Sequence, residues 1–405
     1  MSKPTAIKSA VSHQTAADLV RDIKVIDVDT HFTEPLDLWT SRAPAKYKDR
    51  VPQMKMTDGE WVWTIDDKYS MGVGHASSVV RANNTKAEGM TFSKLQIPDV
   101  HPACWQPQER LKLMDEMGIH AQIIYPNVMG FAGQGRGKAS RATIDDDLRL
   151  ISTQIYNDAM GEMQAESGDR LLPMALLPWW DIKQAMIEAE RCVAMGMRGI
   201  NINSDPHKHG MQDLGGDYWT PLWEFCCDKN LPVNFHIGAS DTSMSWYGDA
   251  PWPSFSPAEK LAVGSTMMFL SNARVISNII LSGMLDRFPT LKFVSVESGI
   301  GWMPFVLDAL EYQIVESGCR HYELKAWEYF HRQMYGTFWF ENRDISATIK
   351  RLGADNVMFE TDFPHPTCLY PQPFEQLREG LSELTTTERR KILSTNAAKV
   401  YNIEL

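Results

Sequence analysis

The chain has 405 residues, of which 43% are hydrophobic and 22% charged, and its formal net charge at pH 7 is −11. This composition is typical of a globular protein, and the negative charge argues against nucleic-acid or anionic-membrane partners, since either needs a basic face. No stretch approaches the ~20 apolar residues of a membrane span, and the N-terminus lacks the apolar core of a secretory signal. We therefore expect a cytoplasmic protein whose partner is a small-molecule substrate.

Eight strand-like runs recur along the chain, and most are continuously apolar, as expected for parallel strands covered on both faces. They lie at residues 23–29, 121–127, 171–179, 197–203, 231–238, 291–298, 336–342 and 356–362. Helical patterns lie between them. Strands that each lead into a helix are the signature of an α/β fold, the (β/α)8 TIM barrel. The sequence predicts that barrel over residues 23–405, after an N-terminal extension at residues 1–22.

The regular spacing fails between the first and second strands. Residues 32–108 are rich in Trp, Pro and Gly. Within them the stretch EWVWTIDDKYS, residues 60–70, predicts a short hairpin with an Asp-Asp turn. We expect residues 32–108 to form an insertion over the catalytic face of the barrel.

Two further loops contain candidate substrate-binding residues. The segment 239–257 after the fifth strand is long and aromatic, which favours an ordered lid with Trp246 and Tyr247 stacking on a substrate. Ordinary loop packing is the alternative. The Gly-rich basic stretch GQGRGKAS at 133–140 misses the phosphate-loop pattern. Within this stretch Arg136 is a candidate contact for a substrate carboxylate. The alternative is that the stretch is simply a mobile loop.

Polar side chains stand at the C-terminal ends of the predicted strands, where the loops of a TIM barrel converge and its chemistry takes place. Asp29 and His31 occupy positions i and i+2 of the first strand, so both point to the same side. The fifth, sixth and eighth strands end in His236, Glu297 and Asp362. One mouth of the barrel is thus predicted to hold two histidines and three carboxylates.

Burying these carboxylates without compensation would cost several kcal/mol for each unpaired group. Only Arg343 lies close in sequence to any of these strand ends, and one cation does not balance three carboxylates. A divalent metal is the simpler partner, because imidazole and carboxylate together suit Zn, Mn, Fe or Co. For each residue alone a structural role is the alternative: a core hydrogen bond for His236, a turn cap for Asp362 and an ion pair for Glu297.

Four segments resemble, in order, motifs of the amidohydrolase superfamily, specifically its amidohydrolase-2 branch, which includes several decarboxylases. They are IDVDTHFTEP, VNFHIG, RFPTLKFVSVESGIGWMPF and NVMFETDFPHP, within a resemblance that runs from roughly residue 23 to 400. The resemblance implies a TIM barrel with Asp29, His31, His236 and Asp362 as metal ligands. Asp29 replaces a histidine that is frequent in the branch, and Glu297 stands where its decarboxylases usually carry a histidine linked to the acid–base step. Relatives commonly form dimers, so we expect a homodimer or pairing with a related subunit.

Three reactions are open. We expect hydrolysis first: metal-activated water would cleave a C–N, ester or C–C bond next to a carbonyl, with Asp362 or Glu297 as base. The alternatives are non-oxidative decarboxylation of an aromatic or unsaturated acid, and a dinuclear iron or iron–manganese oxygenase in which Glu297 and His365 help to hold a second metal. For His365 a role in orienting Asp362 is the other interpretation. The expected cofactor is a divalent metal, Zn, Mn or Fe, with one or two ions per chain.

Overall fold

A computed structural model describes residues 15–57, 59–72, 74–134 and 144–405. Its strands, in chain order, are β1 (Val25–His31), β2 (Gln53–Thr57), β3 (Glu60–Ile65), β4 (Tyr69–Ser70), β5 (Ile119–Tyr125), β6 (Leu171–Pro173), β7 (Ala175–Leu176), β8 (Ile200–Asn201), β9 (Val233–His236), β10 (Phe293–Val296), β11 (Met334–Phe338) and β12 (Val357–Phe359).

The α-helices precede, connect or follow these strands, singly or in runs. They are α1 (Ala16–Val20), α2 (Pro107–Met117), α3 (Asp146–Glu166), α4 (Ile182–Ala194), α5 (Thr220–Asp228), α6 (Asp241–Met244), α7 (Pro257–Phe269), α8 (Ser271–Ser282), α9 (Met284–Arg287), α10 (Met303–Glu316), α11 (Ala326–Gln333), α12 (Ile345–Leu352), α13 (Pro373–Gln376), α14 (Arg378–Ser382), α15 (Thr386–Arg390) and α16 (Asn396–Val400). Short 3-10 helices occupy Ala45–Tyr47, Gly89–Lys94, Ile97–Asp99, Pro102–Cys104, Pro206–His209, Asp217–Trp219 and Ala354–Asn356, and Lys391–Thr395 is π-helical. No helix of the described residues is long and apolar enough to cross a lipid bilayer.

The parallel strands form the predicted (β/α)8 barrel. One sheet has the order β1-β5-β6 and the other β12-β11-β10-β9-β8-β7. β6 and β7 are the two halves of the third barrel strand: the Met174 N–H donates to the carbonyl of Ile124 on one side, and the Ala175 N–H donates to that of Gly199 on the other. The first and last strands are linked by a parallel bridge between Thr30 and Phe363. The predicted fold class is therefore confirmed, with the third and fourth strands shorter than predicted.

The segment between the first two barrel strands forms a small antiparallel sheet in the order β2-β3-β4. The predicted hairpin is its β3-β4 pair, and Asp66 and Asp67 make the turn with φ of 56° and 63°. Left-handed conformation at both central residues matches the right-handed twist of a tight hairpin. β2 is an additional strand that the sequence did not predict. The extension predicted at residues 1–22 contains α1, whose Ala16 and Leu19 are buried.

Every residue of the barrel strands is buried except His120 of β5, which is half-buried. The core beneath the site also contains a charged group. The Arg110 guanidinium of α2 is fully buried and donates to the carbonyls of His31 and Ala103, both at 2.6 Å. It also donates to Gln122 Oε1 at 3.1 Å and lies over the Phe363 ring. Burial lowers the pKa of Arg110 to about 10. This side chain thus joins the end of β1 to α2, β5 and the turn after β12.

Replacing Arg110 with Met should lower the free energy of unfolding by about 2–4 kcal/mol, because two buried carbonyls and one amide oxygen lose their donor. Urea denaturation measures this difference. The matched control is Arg21→Met, since Arg21 lies at the surface in an exposed ion pair with Asp18, and it should change the unfolding free energy by no more than about 0.5 kcal/mol. Equal stability of the two variants would contradict this role of Arg110.

Candidate metal centre

Three barrel strands bring a first group of ligand atoms together at their C-terminal ends. Asp29 and His31 come from β1, His236 ends β9, and Glu297 follows β10. His236 Nε2 lies 3.4 Å from Asp29 Oδ1, 3.2 Å from Glu297 Oε2 and 3.1 Å from His31 Nε2. All four side chains are buried, and one ligand atom of each lies within 4.8 Å of the others. We call these residues the inner group.

A second group overlaps the first and adds residues from the turn after β12. It consists of His31, Glu297, Asp362 and His365, whose ligand atoms also lie within 4.8 Å of one another. His365 Nδ1 is 3.2 Å from Asp362 Oδ1, and the His365 ring stacks on that of His31 with centroids 3.5 Å apart. We call these residues the outer group, because Glu297 and His365 also line a cavity above the cluster.

Hydrogen bonds on the far side of two imidazoles fix which nitrogen faces the cluster. His236 Nδ1 lies 2.5 Å from the carbonyl of Ile237, which only accepts, so Nδ1 donates and Nε2 faces the cluster as an acceptor. His365 Nε2 donates to Asn127 Oδ1 at 2.8 Å, because the Asn127 amide nitrogen is committed to the carbonyl of Phe32. Nδ1 is therefore the ring nitrogen of His365 that points at Asp362. This outward hydrogen bonding is typical of metal-binding histidines.

Two aspartates of the cluster have buried carboxylate oxygens without a hydrogen-bond partner among the described residues. These are both oxygens of Asp29 and Oδ1 of Asp362. Burial, reinforced by the Asp362 and Asp27 carboxyls, raises the pKa of Asp29 well above its usual range. Burial likewise lowers the pKa of His31 well below its usual range, so this imidazole is not a counter-cation. Neutral imidazole nitrogens and carboxylate oxygens fit a divalent metal.

Two further carboxyl groups support the strand ends. Glu360 Oε2 accepts from the backbone N–H of Glu297 at 3.3 Å, which helps to hold Glu297 at a φ of 54°. Asp362 also has a left-handed φ, of 59°, and such strain is retained where the surroundings enforce it. Asp27 accepts from the Thr361 N–H at 2.8 Å and from its hydroxyl at 2.6 Å, so it fastens β1 to the end of β12.

Sequence reasoning missed several of these supporting residues. Glu360 stands in the FETD stretch beside Asp362, and Asn127 ends the second predicted strand at 121–127, so the sequence gave a reason to consider both positions. The sequence gave no such reason for Glu34 or Arg110, because Glu34 lies in a loop and Arg110 lies in a helix. Glu34 is buried and accepts through one oxygen from the backbone N–H groups of Asn127 and Val128, at 2.8 and 3.0 Å.

A cavity of about 180 Å³ lies above the outer group. Its described wall includes Tyr247 but not Trp246, so of the two predicted stacking residues the structure brings only Tyr247 to the cavity. The Trp246 carbonyl instead packs against α7 at Gly264, whose lack of a side chain allows the close approach. The predicted carboxylate contact, Arg136, lies outside the described residues. Part of the wall comes from the segment predicted as an insertion, including Met90 and Phe92.

The barrel and its buried ligand cluster define a class, the metal-dependent enzymes built on a TIM barrel. Within that class the chain belongs to the amidohydrolase family, whose sequence model, described as Amidohydrolase, matches residues 26–403. The chain is 25% identical over 310 residues to γ-resorcylate decarboxylase of Polaromonas sp. strain JS666, a match that covers 73% of this chain and 86% of the relative.

Solved structures share the fold. An amidohydrolase from Mycobacterium avium subsp. paratuberculosis K-10 superposes with a TM-score of 0.69 at 20% identity, covering 94% of this chain and 99% of that one. A dihydroxybenzoic acid decarboxylase from Polaromonas sp. JS666, with bound manganese and the inhibitor 2-nitroresorcinol, superposes with a TM-score of 0.58 at 19% identity, covering 94% and 97%.

These relatives correct the predicted reaction. Hydrolysis was the wrong expectation, because the curated relatives matched over most of the chain are decarboxylases. The physical reason for the error is that the ligand cluster is the same for both reactions. A divalent ion held by carboxylates and imidazoles polarises a water molecule or a substrate carboxylate equally well. The oxygenase alternative and the expected dimer stay predictions.

Replacing Asp29 with Asn should weaken Mn(II) binding at least about 10-fold, because a charged ligand of the inner group is lost. The same change should not destabilise the EDTA-treated protein, since the buried Asp29 carboxyl group has no hydrogen-bond partner to lose. Metal analysis after dialysis and urea denaturation measure the two effects. Asp37→Asn is the control, as Asp37 is exposed. Wild-type metal affinity in Asp29→Asn would exclude Asp29 as a ligand.

Glu34 should make the stability of the protein depend on pH. Burial raises the pKa of Glu34 from 4.5 to about 7 in the folded protein. The folded state therefore holds a proton that the unfolded state has released between pH 4.5 and 7, and this contribution to stability is lost as the pH rises through that window. The free energy of unfolding of the wild type, relative to that of Glu34→Gln, should fall between pH 4.5 and 7. Above pH 7 the difference between the two proteins should stay constant.

Urea denaturation at pH 5, 6, 7 and 8 tests this expectation. The exposed Glu190→Gln variant serves as the control and should follow the wild type at every pH. Parallel stability curves for the wild type and Glu34→Gln would show that Glu34 ionises normally in the fold.

Proposed function

We propose that this chain is a metal-dependent, non-oxidative decarboxylase of a single-ring aromatic carboxylic acid. The observation that carries the proposal is an apolar cavity of about 180 Å³ that opens directly onto the ligand cluster. An engineered cavity of about 150 Å³ lined by apolar side chains binds benzene, so this volume suits one aromatic ring. The decarboxylases among the relatives support the same reaction class.

The wall of the cavity suits an aromatic ring with one anionic group. Phe131, Met268 and Phe269 provide apolar surface, while Asn127 and Thr367 offer hydrogen bonds to a ring hydroxyl. The described lining residues include no lysine or arginine. The carboxylate of the substrate would therefore bind at the cation rather than at a basic side chain.

Manganese is the ion we propose, since a related decarboxylase structure contains it. When bound, the ion supplies positive charge that binds and orients the substrate carboxylate. Asp29, His31 and His236 of the inner group would hold the ion together with Asp362 of the outer group, whose Oδ1 lies 3.8 Å from His31 Nε2. The apolar wall excludes water, which strengthens these electrostatic interactions.

Glu297 is the residue that we assign to proton transfer. It lies on the cavity wall and at the end of a barrel strand, where a side chain meets the substrate. The ring carbon that carries the carboxylate takes a proton from the Glu297 carboxyl group. The bond from this carbon to the carboxylate then breaks, its electron pair returns to the ring, and CO2 leaves. A proton from solvent restores Glu297.

Incubation of the manganese-loaded protein with a panel of hydroxybenzoates should release CO2 and yield the corresponding phenol. In D2O the phenol should carry one deuterium at the carbon that held the carboxylate, detected by NMR. No CO2 release from any aromatic acid, with full metal content, would overturn the proposed reaction.

Replacing Glu297 with Gln should lower kcat at least about 100-fold, because the proton donor is lost, while KM changes little and one manganese remains bound. The control is Glu379→Gln, since Glu379 is exposed. Steady-state kinetics with parallel metal analysis separate the two effects. An unchanged kcat in Glu297→Gln would remove Glu297 from the proton-transfer step.

A further inference from the structure

Phe131 joins the wall of the cavity to the ligand cluster. Its side chain is buried and lines the cavity. The centroid of its ring lies 4.3 Å from that of His236, 5.1 Å from that of His31 and 5.8 Å from that of His365. The ring therefore stands where a molecule bound at the cluster meets the apolar wall.

The turn that carries Phe131 is fastened on both sides of this residue. The Phe131 carbonyl accepts a hydrogen bond from the side-chain amide of Asn201, at the end of β8. Gln134, three residues further on, accepts from the backbone N–H of Ala132 at 2.9 Å and donates to the carbonyl of Gly238 at 2.6 Å. Both amide side chains are buried. These hydrogen bonds hold the turn against the end of β8 and the loop after β9.

Gly238 provides the space that the Phe131 ring occupies. Its φ of 73° favours glycine, and a Cβ atom there would lie 2.9 Å from two carbon atoms of the Phe131 ring and 2.8 Å from Met244 Sδ. Met244 lines the cavity as well. A buried ring in such close packing moves only if its neighbours move too, which costs free energy. Phe131 is thus a fixed boundary of the cavity.

The polar residues of the wall contact other members of the cluster. Asn127 Oδ1 lies 2.8 Å from His365 Nε2, and the Thr367 hydroxyl donates to Asp362 Oδ2 at 2.6 Å. Phe131 is instead nearest to the histidine that ends β9. A hydroxyl on one ring carbon beside the substrate carboxylate would bind on the side of Asn127 and Thr367. The other ring carbon beside the carboxylate would then lie on the side of Phe131.

We propose that Phe131 is a specificity-determining residue, which excludes aromatic acids with a bulky group on the ring carbon next to the carboxylate. This inference rests on the proposed function, because it requires the substrate carboxylate to bind at the ligand cluster. A hydrogen atom on that ring carbon fits beside Phe131, whereas a fused second ring collides with it. Specificity then comes from a contact that rejects the wrong substrate.

Two isomers that differ only in the position of a fused ring test this boundary. In 1-nitro-2-naphthol the second ring is fused next to the carbon that carries the nitro group, and in 3-nitro-2-naphthol it is fused further away. The nitro group has the shape of a carboxylate and is not lost as CO2, so calorimetry measures binding to the manganese-loaded protein without turnover. We expect the wild type to bind 1-nitro-2-naphthol at least about 10-fold more weakly than 3-nitro-2-naphthol, since small changes of shape in an apolar pocket are worth about 10–200-fold.

Phe131→Ala removes the boundary, so the two isomers should bind with nearly equal affinity. If this variant does not fold, Phe131→Leu provides the same test and should lower the affinity ratio at least about 3-fold. Phe269→Ala is the matched control, because Phe269 also lines the cavity but packs on Trp339 and Phe340, with ring centroids 5.2 and 5.4 Å apart. It should keep the wild-type ratio.

The outcomes separate this proposal from the proposed reaction. Equal binding of the two isomers by the wild type, an unchanged ratio in the Phe131 variants, or the same loss of preference in Phe269→Ala would overturn the role of Phe131, even in a protein that releases CO2 from hydroxybenzoates. A preference that depends on Phe131, in a protein that releases no CO2 from any aromatic acid, would support this role and overturn the decarboxylase.

Discussion

The repulsion among buried carboxyl groups at the mouth of the barrel is the constraint on which the rest of the site depends. Asp29, Glu297, Glu360 and Asp362 lie together there, and burial raises the pKa of both Asp29 and Glu360 well above their usual ranges. Arg110 is a buried cation nearby, but its guanidinium donates hydrogen bonds to two carbonyls and an amide oxygen rather than to these carboxyl groups. A metal ion is the partner that makes this concentration of negative charge stable, and the histidines are already turned to receive it.

Much of this arrangement could be predicted because barrels bring strand ends together. The runs of apolar residues located the strands, and Asp29, His31, His236 and Asp362 were then expected at one mouth. Residues that do not stand at strand ends were not predictable. Arg110 reaches the site from a helix, and Glu34 reaches it from a loop. The sequence also did not indicate that two adjacent residues have different roles. Tyr247 lines the cavity, whereas the backbone of Trp246 packs on α7. Hydrolysis was predicted wrongly because the sequence revealed the residues that bind the metal ion. Those residues do not determine which substrate or reaction the ion serves.

The choice of substrate depends on the cavity wall above the ligand cluster, much of which comes from outside the barrel strands. Met90 and Phe92 from the segment between β1 and β5 line the cavity together with Met268 and Phe269 from α7. A barrel with the same strand ends and a polar wall would admit water and a different substrate. The strands thus determine where charge is held, and the connecting segments determine which molecule meets it.

The hydrogen bonds between Asp27 and Thr361 join positions 334 residues apart, next to ligands that also come from the first and last strands. No part of the chain that lacks either end contains the whole proposed ligand set of Asp29, His31, His236 and Asp362. During synthesis, a chain that emerges N-terminus first exposes Asp29 and His31 long before Asp362 is made. With the proposed ligands, completion of the metal site is therefore a late event in the maturation of this protein, and a chain that ends before Asp362 would lack one of them.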